Sequence, residues 1–92
     1  MSDWQAAERA YDDLAVQAGG VLPEPDCVSP CEGGIVATWA EDVRDVSLIR
    51  IDERPIATWN YHDASTVVRW SCEWTIGDPL PEGVAEALAK CR

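Results

Sequence analysis

The chain has 92 residues, of which 47% are hydrophobic, and its 17 acidic and 7 basic side chains give a formal net charge of −10. This length accommodates one domain, and the hydrophobic fraction is typical of a folded chain rather than a disordered one. The negative charge disfavours direct binding to nucleic acid or to an anionic membrane, because both kinds of contact require a basic patch.

The first predicted element is a helix over residues 3–18. Ser2, followed three residues later by Gln5, fits an N-terminal capping box. Apolar side chains then recur at helical spacing, at Trp4, Ala7, Tyr11, Leu14, Ala15 and Ala18. Gly19-Gly20 is predicted to end the helix, because glycine accepts the left-handed conformation that helix C-termini often need.

Residues 21–34 are predicted to form an extended hinge. They include prolines at positions 23, 25 and 30, and they end in Gly33-Gly34. Proline is excluded from helix interiors and from central strands, so neither element is expected here.

Four strands are predicted next, over residues 35–39, 46–51, 55–61 and 66–76. The fourth alternates most clearly, with one face formed by Val68, Trp70, Cys72, Trp74 and Ile76. Period-two alternation indicates one buried and one solvated face, and the short connections favour an antiparallel meander. The tryptophans at 39, 59, 70 and 74 are predicted to fill the core, with one or two of them available to an interface.

A last helix is predicted over residues 81–91, with Val84, Leu88 and Cys91 on one apolar stripe. The predicted fold is therefore α+β, in the order α-β-β-β-β-α, as one domain over residues 1–92. We expect a four-stranded antiparallel sheet with both helices packed on one face, because a one-sided sheet must cover its apolar side.

The cysteines allow two interpretations. Four thiolates, from Cys27, Cys31, Cys72 and Cys91, are the ligand set of a structural zinc site. However, Cys72 and Cys91 lie on separate elements and on faces assigned to the core, where cysteine behaves as a small apolar residue. The favoured interpretation is free thiols with no cofactor, and a disulfide between Cys27 and Cys31 is not favoured in a reducing cytosol.

His62 is the only histidine, and Asp63 follows it. A carboxylate that orients a histidine is one arrangement for a general base. His62 falls in a predicted turn without a nucleophile assigned to it, so an exposed turn histidine is the favoured interpretation. No catalytic motif is recognised, and we expect a protein that is not an enzyme.

The acidic residues are distributed unevenly. Residues 1–46 hold ten acids and two bases, whereas residues 47–92 hold seven acids and five bases. The candidate partner-binding residues are Asp12, Asp13, Glu24, Asp26, Glu32, Glu41, Asp42 and Asp45. A solvated acidic face is one interpretation, and a surface complementary to a basic protein partner is the other.

The segment from Cys27 to Trp39, CVSPCEGGIVATW, resembles a segment of small uncharacterised bacterial proteins. In them, Val-Ser-Pro and an acidic Gly-Gly turn lead into a strand that ends in tryptophan. The resemblance covers residues 22–51 and implies no activity, and the chain departs from the pattern from Arg54 onward. In size and acidity the chain is also similar to phage-encoded anti-CRISPR and anti-restriction inhibitors, a similarity that assigns no residues.

These observations favour a small acidic inhibitor that blocks the basic nucleic-acid-binding surface of a defence complex. An immunity protein or antitoxin that neutralises a toxin enzyme is a second hypothesis, and a zinc-stabilised interaction module is a third. The opening Met1-Ser2-Asp3-Trp4 lacks the basic and apolar regions of a signal peptide, so we expect a cytoplasmic protein with no membrane partner.

Overall fold

A computed structural model describes residues 3–91 of the chain. In chain order its elements are α1 Asp3–Gln17, β1 Cys27–Cys31, β2 Gly34–Glu41, β3 Arg44–Ile51, β4 Ile56–Asp63, β5 Val68–Thr75 and α2 Glu82–Lys90. The strands form one antiparallel sheet in sequential order, from β1 at one edge to β5 at the other. The α+β class and the antiparallel meander are confirmed, and the predicted capping residue Ser2 lies outside the described residues.

The prediction of four strands is wrong, because β1 lies inside the segment that was expected to be a hinge. In β1, Cys27 is paired with Thr38 and Pro30 is paired with Ile35 of β2. β1 is an edge strand, and an edge tolerates proline because one side of the strand needs no ladder partner. The prolines therefore excluded a central strand but not this one.

One face of the sheet carries the core. Its strands bury alternate residues, among them Ala37 and Trp39 of β2, Leu48 of β3 and Trp59 of β4. Rings from four elements contact each other in series: the centroid of Trp39 lies 6.2 Å from that of Tyr11 and 5.6 Å from that of Trp59. Trp74 continues the series at 5.7 Å from Trp59. This confirms the predicted burial of Trp39, Trp59 and Trp74, while Trp70 is half-buried at the edge of the core.

The helices flank the sheet and bury one stripe each. α1 packs on β1 and β2, and α2 packs on β3 and β4. The buried side chains of both helices belong to the same core cluster as the inward side chains of the strands, so both helices cover that face. Trp4 departs from the predicted apolar side of α1, since its side chain is 53% exposed.

Candidate functional site: the acidic end of the sheet

Carboxylates gather at one end of the sheet, where the β2–β3 turn meets the segment that leads into β1. The Oδ2 atom of Asp26 accepts a hydrogen bond from the backbone N–H of Ala40 at 2.7 Å, which ties that segment to the end of β2. Ala40 is in turn the partner of Asp45 across the turn. We call this group the acidic end, and it consists of Glu24, Asp26, Glu41, Asp42 and Asp45.

Two basic side chains near the acidic end, Arg44 and His62, already lie beside carboxylates. The Nε atom of Arg44 lies 3.0 Å from Oδ2 of the buried Asp63, and His62 Nδ1 lies 3.7 Å from Oδ2 of Asp45. Among residues 3–91, no ion pair within 4.0 Å engages the other four carboxylates of the acidic end. The pKa of the Cys91 thiol is raised, mainly by burial and further by the negative charges of Glu41 and Asp45. The acidic end therefore presents a negative field to solvent.

The structure leaves three of the predicted acidic residues elsewhere. Glu32 lies in the β1–β2 turn, at the opposite end of the sheet. Asp12 and Asp13 are exposed on α1. Burial, assisted by the negative charge of Asp12, raises the pKa of Tyr11 to about 12. The predicted acidic surface is thus divided, and only its five members at the acidic end form one group.

Exposed valines accompany these carboxylates, and the sequence reasoning did not find them. The backbone N–H of Ala64 donates to the carbonyl of Val43 at 3.0 Å, which joins the β4–β5 turn to the β2–β3 turn. Val43 is 40% exposed and Val67 is 87% exposed. Val67 has φ of 55°, a conformation that β-branched residues rarely adopt. The Val67-Val68 pair beside a predicted turn was the available signal.

The pairing of His62 with Asp63 is not present. His62 lies within β4 rather than in a turn, and adjacent strand residues point to opposite faces of a sheet. His62 therefore faces Asp45 and Arg69 on the open side, where these three residues help to line a depression of about 430 Å³. Asp63 points inward instead.

Asp63 anchors the base of the acidic end. It accepts hydrogen bonds from the hydroxyl and the backbone N–H of Ser65, at 2.6 and 3.0 Å, and from Arg44 Nε at 3.0 Å. The hydroxyl of Tyr61 donates to the same carboxylate at 3.3 Å. The Ser65 hydrogen bonds, together with Arg44, hold the pKa of Asp63 well below its ordinary value of 3.8, although burial acts in the opposite direction.

This lowered pKa gives a pH prediction for Asp63→Asn. A carboxylate with a lower pKa in the folded state contributes stability above pH 4, which is lost as the pH falls toward the folded pKa. We therefore expect the variant to melt several degrees below the parent at pH 7, and the gap to narrow between pH 4 and pH 2. Thermal unfolding, monitored by circular dichroism across this pH range, measures the difference in melting temperature between the variant and the parent. A gap that stays constant with pH would contradict the ionised, hydrogen-bonded carboxylate.

The cysteines lie far apart. Cys27 and Cys31 are on the edge strand β1, Cys72 is on β5 at the opposite edge, and Cys91 is buried beyond α2. β1 and β5 are four strand spacings apart, about 19 Å, which is too far for a shared metal ion. Among residues 3–91, no group of three histidine, cysteine or acidic side chains could hold a metal ion.

A disulfide within β1 is also incompatible with this geometry. Residues four apart in a strand are separated by about 13 Å, whereas disulfide-bonded Cα atoms lie about 4.4–6.8 Å apart. Cys27 and Cys31 are free, and the Cys27 thiol lies 3.3 Å from the hydroxyl of Ser29 on the same strand.

No protein-family model, curated protein or solved structure matches this chain. The resemblance of residues 22–51 to small bacterial proteins therefore stays a prediction. Neither helix within residues 3–91 has the length and apolar character needed to cross a bilayer.

Proposed function

We propose that this protein is a non-enzymatic inhibitor that binds a basic, nucleic-acid-binding surface on a partner protein. The proposed class is that of phage-encoded anti-CRISPR and anti-restriction proteins. The observation that supports it is the acidic end, where four carboxylates form no ion pair within 4.0 Å among residues 3–91 and lie beside two connected turns.

The acidic end has the chemistry that a basic groove recognises. Carboxylates accept charge-assisted hydrogen bonds from arginine and lysine, as phosphates do, so they occupy the positions where nucleic-acid phosphates bind. Charge complementarity speeds the encounter and selects the partner. Val43 and Val67 add exposed apolar area on the two turns beside these charges, which suits the desolvated centre of a protein interface.

The first test removes three of the five negative charges of the acidic end without altering its backbone. Glu24→Gln, Glu41→Gln and Asp42→Asn together remove three negative charges, and asparagine suits position 42 because its φ is 54°. Asp26 is kept, since it accepts the Ala40 hydrogen bond. A matched control removes three exposed carboxylates elsewhere, through Glu8→Gln, Glu73→Gln and Glu82→Gln.

The readout is capture of partners from bacterial lysate, followed by affinity measurement with the purified partner. We expect the captured partner to be a nucleic-acid-binding protein. Salt should release it, and so should the nucleic acid that this partner normally binds. The acidic-end variant should bind at least about tenfold more weakly at low salt and show a shallower salt dependence. Equal losses in the control variant, or binding insensitive to salt, would contradict the proposal.

Trp4 favours a second candidate, the immunity protein or antitoxin. It is a large aromatic side chain, 53% exposed on α1, and tryptophan is enriched among the residues that dominate interface energies. A toxin-like enzyme held through high salt, and lost on Trp4→Ala but not on neutralising the acidic end, would support this candidate instead.

A further inference from the structure

A groove of about 990 Å³ lies at the end of the sheet opposite the acidic end. It runs between α1, the β1–β2 turn and the β3–β4 loop. On the helix side, Ala6 and Ala10 line it, and their small side chains leave the space open. Gly33 of the β1–β2 turn and Gly34, the first residue of β2, line the facing wall. The volume lies within the range of about 300–1,000 Å³ that is usual for small-molecule sites.

Arg50 is the buried cation of this groove. Although it is charged, it is only 8% exposed, because it lies on the inward face of β3. Its Nε donates to the carbonyl of Arg54 at 2.9 Å, and its Nη2 donates to the carbonyl of Glu53 at 3.3 Å and to Oε1 of Gln17 at 3.2 Å. These hydrogen bonds fix the plane of the guanidinium.

The charge of Arg50 has no anionic partner within the described residues. All three of its acceptors are neutral oxygens, and none of the ion pairs within 4.0 Å includes it. No hydrogen bond joins its Nη1 to residues 3–91, so two N–H donors stay available in a side chain that lines the groove. A buried charge is stabilised by a hydrogen-bonded counterion, and a planar guanidinium suits a carboxylate.

The rim of the groove has the opposite charge. Asp3, Asp13, Asp52 and Glu53 are among the residues that line it. A simple anion would be repelled by these carboxylates before it reached Arg50, whereas a ligand with a carboxylate and a nearby cation satisfies both regions.

We infer that this groove binds a ligand whose carboxylate pairs with Arg50 and whose positive charge lies against the rim acids. A free basic amino acid and the C-terminal lysine or arginine of a peptide share this chemistry. The inference is independent of the proposed function, because it concerns the other end of the sheet.

The test is an NMR titration of the full chain with the dipeptide Gly-Lys. The reporters are the Arg50 Nε–H signal and the backbone amides of Gly33 and Gly34. We expect saturable shifts with a dissociation constant of about 1 mM or tighter, and at least about tenfold weaker binding of Gly-Lys amide, which lacks the carboxylate. Free lysine that binds as well as Gly-Lys would identify an amino-acid site, and binding of the dipeptide alone would identify a peptide C-terminus.

The variants separate binding from folding. Arg50→Lys loses the planar fork, but it also weakens the contacts to the β3–β4 loop and to α1. Ala6→Trp is therefore the decisive variant, because it fills the groove from an exposed helix position without touching Arg50. Ala85→Trp, at an exposed position on α2, is the matched control.

We expect Ala6→Trp to weaken Gly-Lys binding at least about tenfold and Ala85→Trp to leave it unchanged. The inference is overturned if Gly-Lys gives no saturable shift at a concentration on the order of 10 mM, or if its amide binds equally well. Retained binding in Ala6→Trp would place the ligand elsewhere and overturn it as well.

Discussion

Replacing Trp59 with alanine is expected to remove about 3–5 kcal/mol from the free energy of unfolding. Trp59 is completely buried at the centre of the ring series, with Trp39 at 5.6 Å and Trp74 at 5.7 Å between centroids. Its loss leaves a cavity between β2 and β5 and removes both ring contacts. A domain of this size has about 5–15 kcal/mol of stability in total, so this loss is a large fraction of it. Urea denaturation measures the change.

Replacing Trp39, Trp59 or Trp74 with phenylalanine, one at a time, compares the stability that each indole N–H contributes. Trp39 donates its indole N–H to the carbonyl of Pro23, and Trp74 donates to the carbonyl of Asp78, both at 3.1 Å. The buried N–H of Trp59 has no acceptor among the described residues. Trp59→Phe should therefore cost about 1 kcal/mol less than Trp74→Phe, because it removes an unsatisfied donor and leaves no carbonyl without its partner. The difference from Trp39→Phe should be smaller, because the Pro23 carbonyl also accepts from the Tyr11 hydroxyl at 3.4 Å. Equal losses at the three positions would show that the Trp59 N–H does find an acceptor.

Gly34→Ala is expected to destabilise the protein by about 3 kcal/mol, near the upper end for overpacking. A Cβ atom at position 34 would overlap the carbonyl oxygen of Arg50 and lie 2.9 Å from the Cα atom of Ile51. Both obstacles are backbone atoms of β3, so no side-chain rotation relieves the overlap. The β2–β3 ladder must separate locally, and Arg50 moves with it. Urea denaturation and the Arg50 Nε–H signal report these two effects.

Gly83→Ala provides the matched control. Gly83 lies in the first turn of α2, and a Cβ atom there meets Cζ2 of Trp70 at 3.7 Å, an ordinary van der Waals contact. Alanine at this position should raise stability by about 0.5–1 kcal/mol, since it restricts the unfolded chain and favours the helix. If Gly34→Ala unfolds at the same urea concentration as the parent, β2 and β3 do not approach as closely as described.

The outline of the fold was predictable because its signals are local. The helical spacing of Ala7, Tyr11 and Leu14 matches the side chains that α1 buries, and Val84 and Leu88 do the same for α2. In β5, alternation correctly separated Trp74 from its solvent-facing neighbours. β1 was missed because proline carries opposite meanings at the centre and at the edge of a sheet, and strand order is not a local property.

The candidate sites were predictable only as lists of residues. The eight acidic side chains were identifiable from charge, but their division between the acidic end, the β1–β2 turn and α1 depends on how distant strands are paired. Arg50 had no distinguishing neighbour in sequence, and its place beside Gln17 requires α1 to dock across the sheet.

The sequence by itself determined the two helices, four of the five strands and most of their buried faces, because these follow from residue types at periods of two or 3.6 residues. The excess of negative charge follows directly from composition. Only the tertiary structure decided the fifth strand, the contact of His62 with Asp45 rather than Asp63, the separation of the four cysteines and the neutral oxygens that surround the Arg50 guanidinium. These features join residues that are distant in the chain, and the register of an antiparallel sheet sets them: a shift of one residue would exchange every inward and outward side chain.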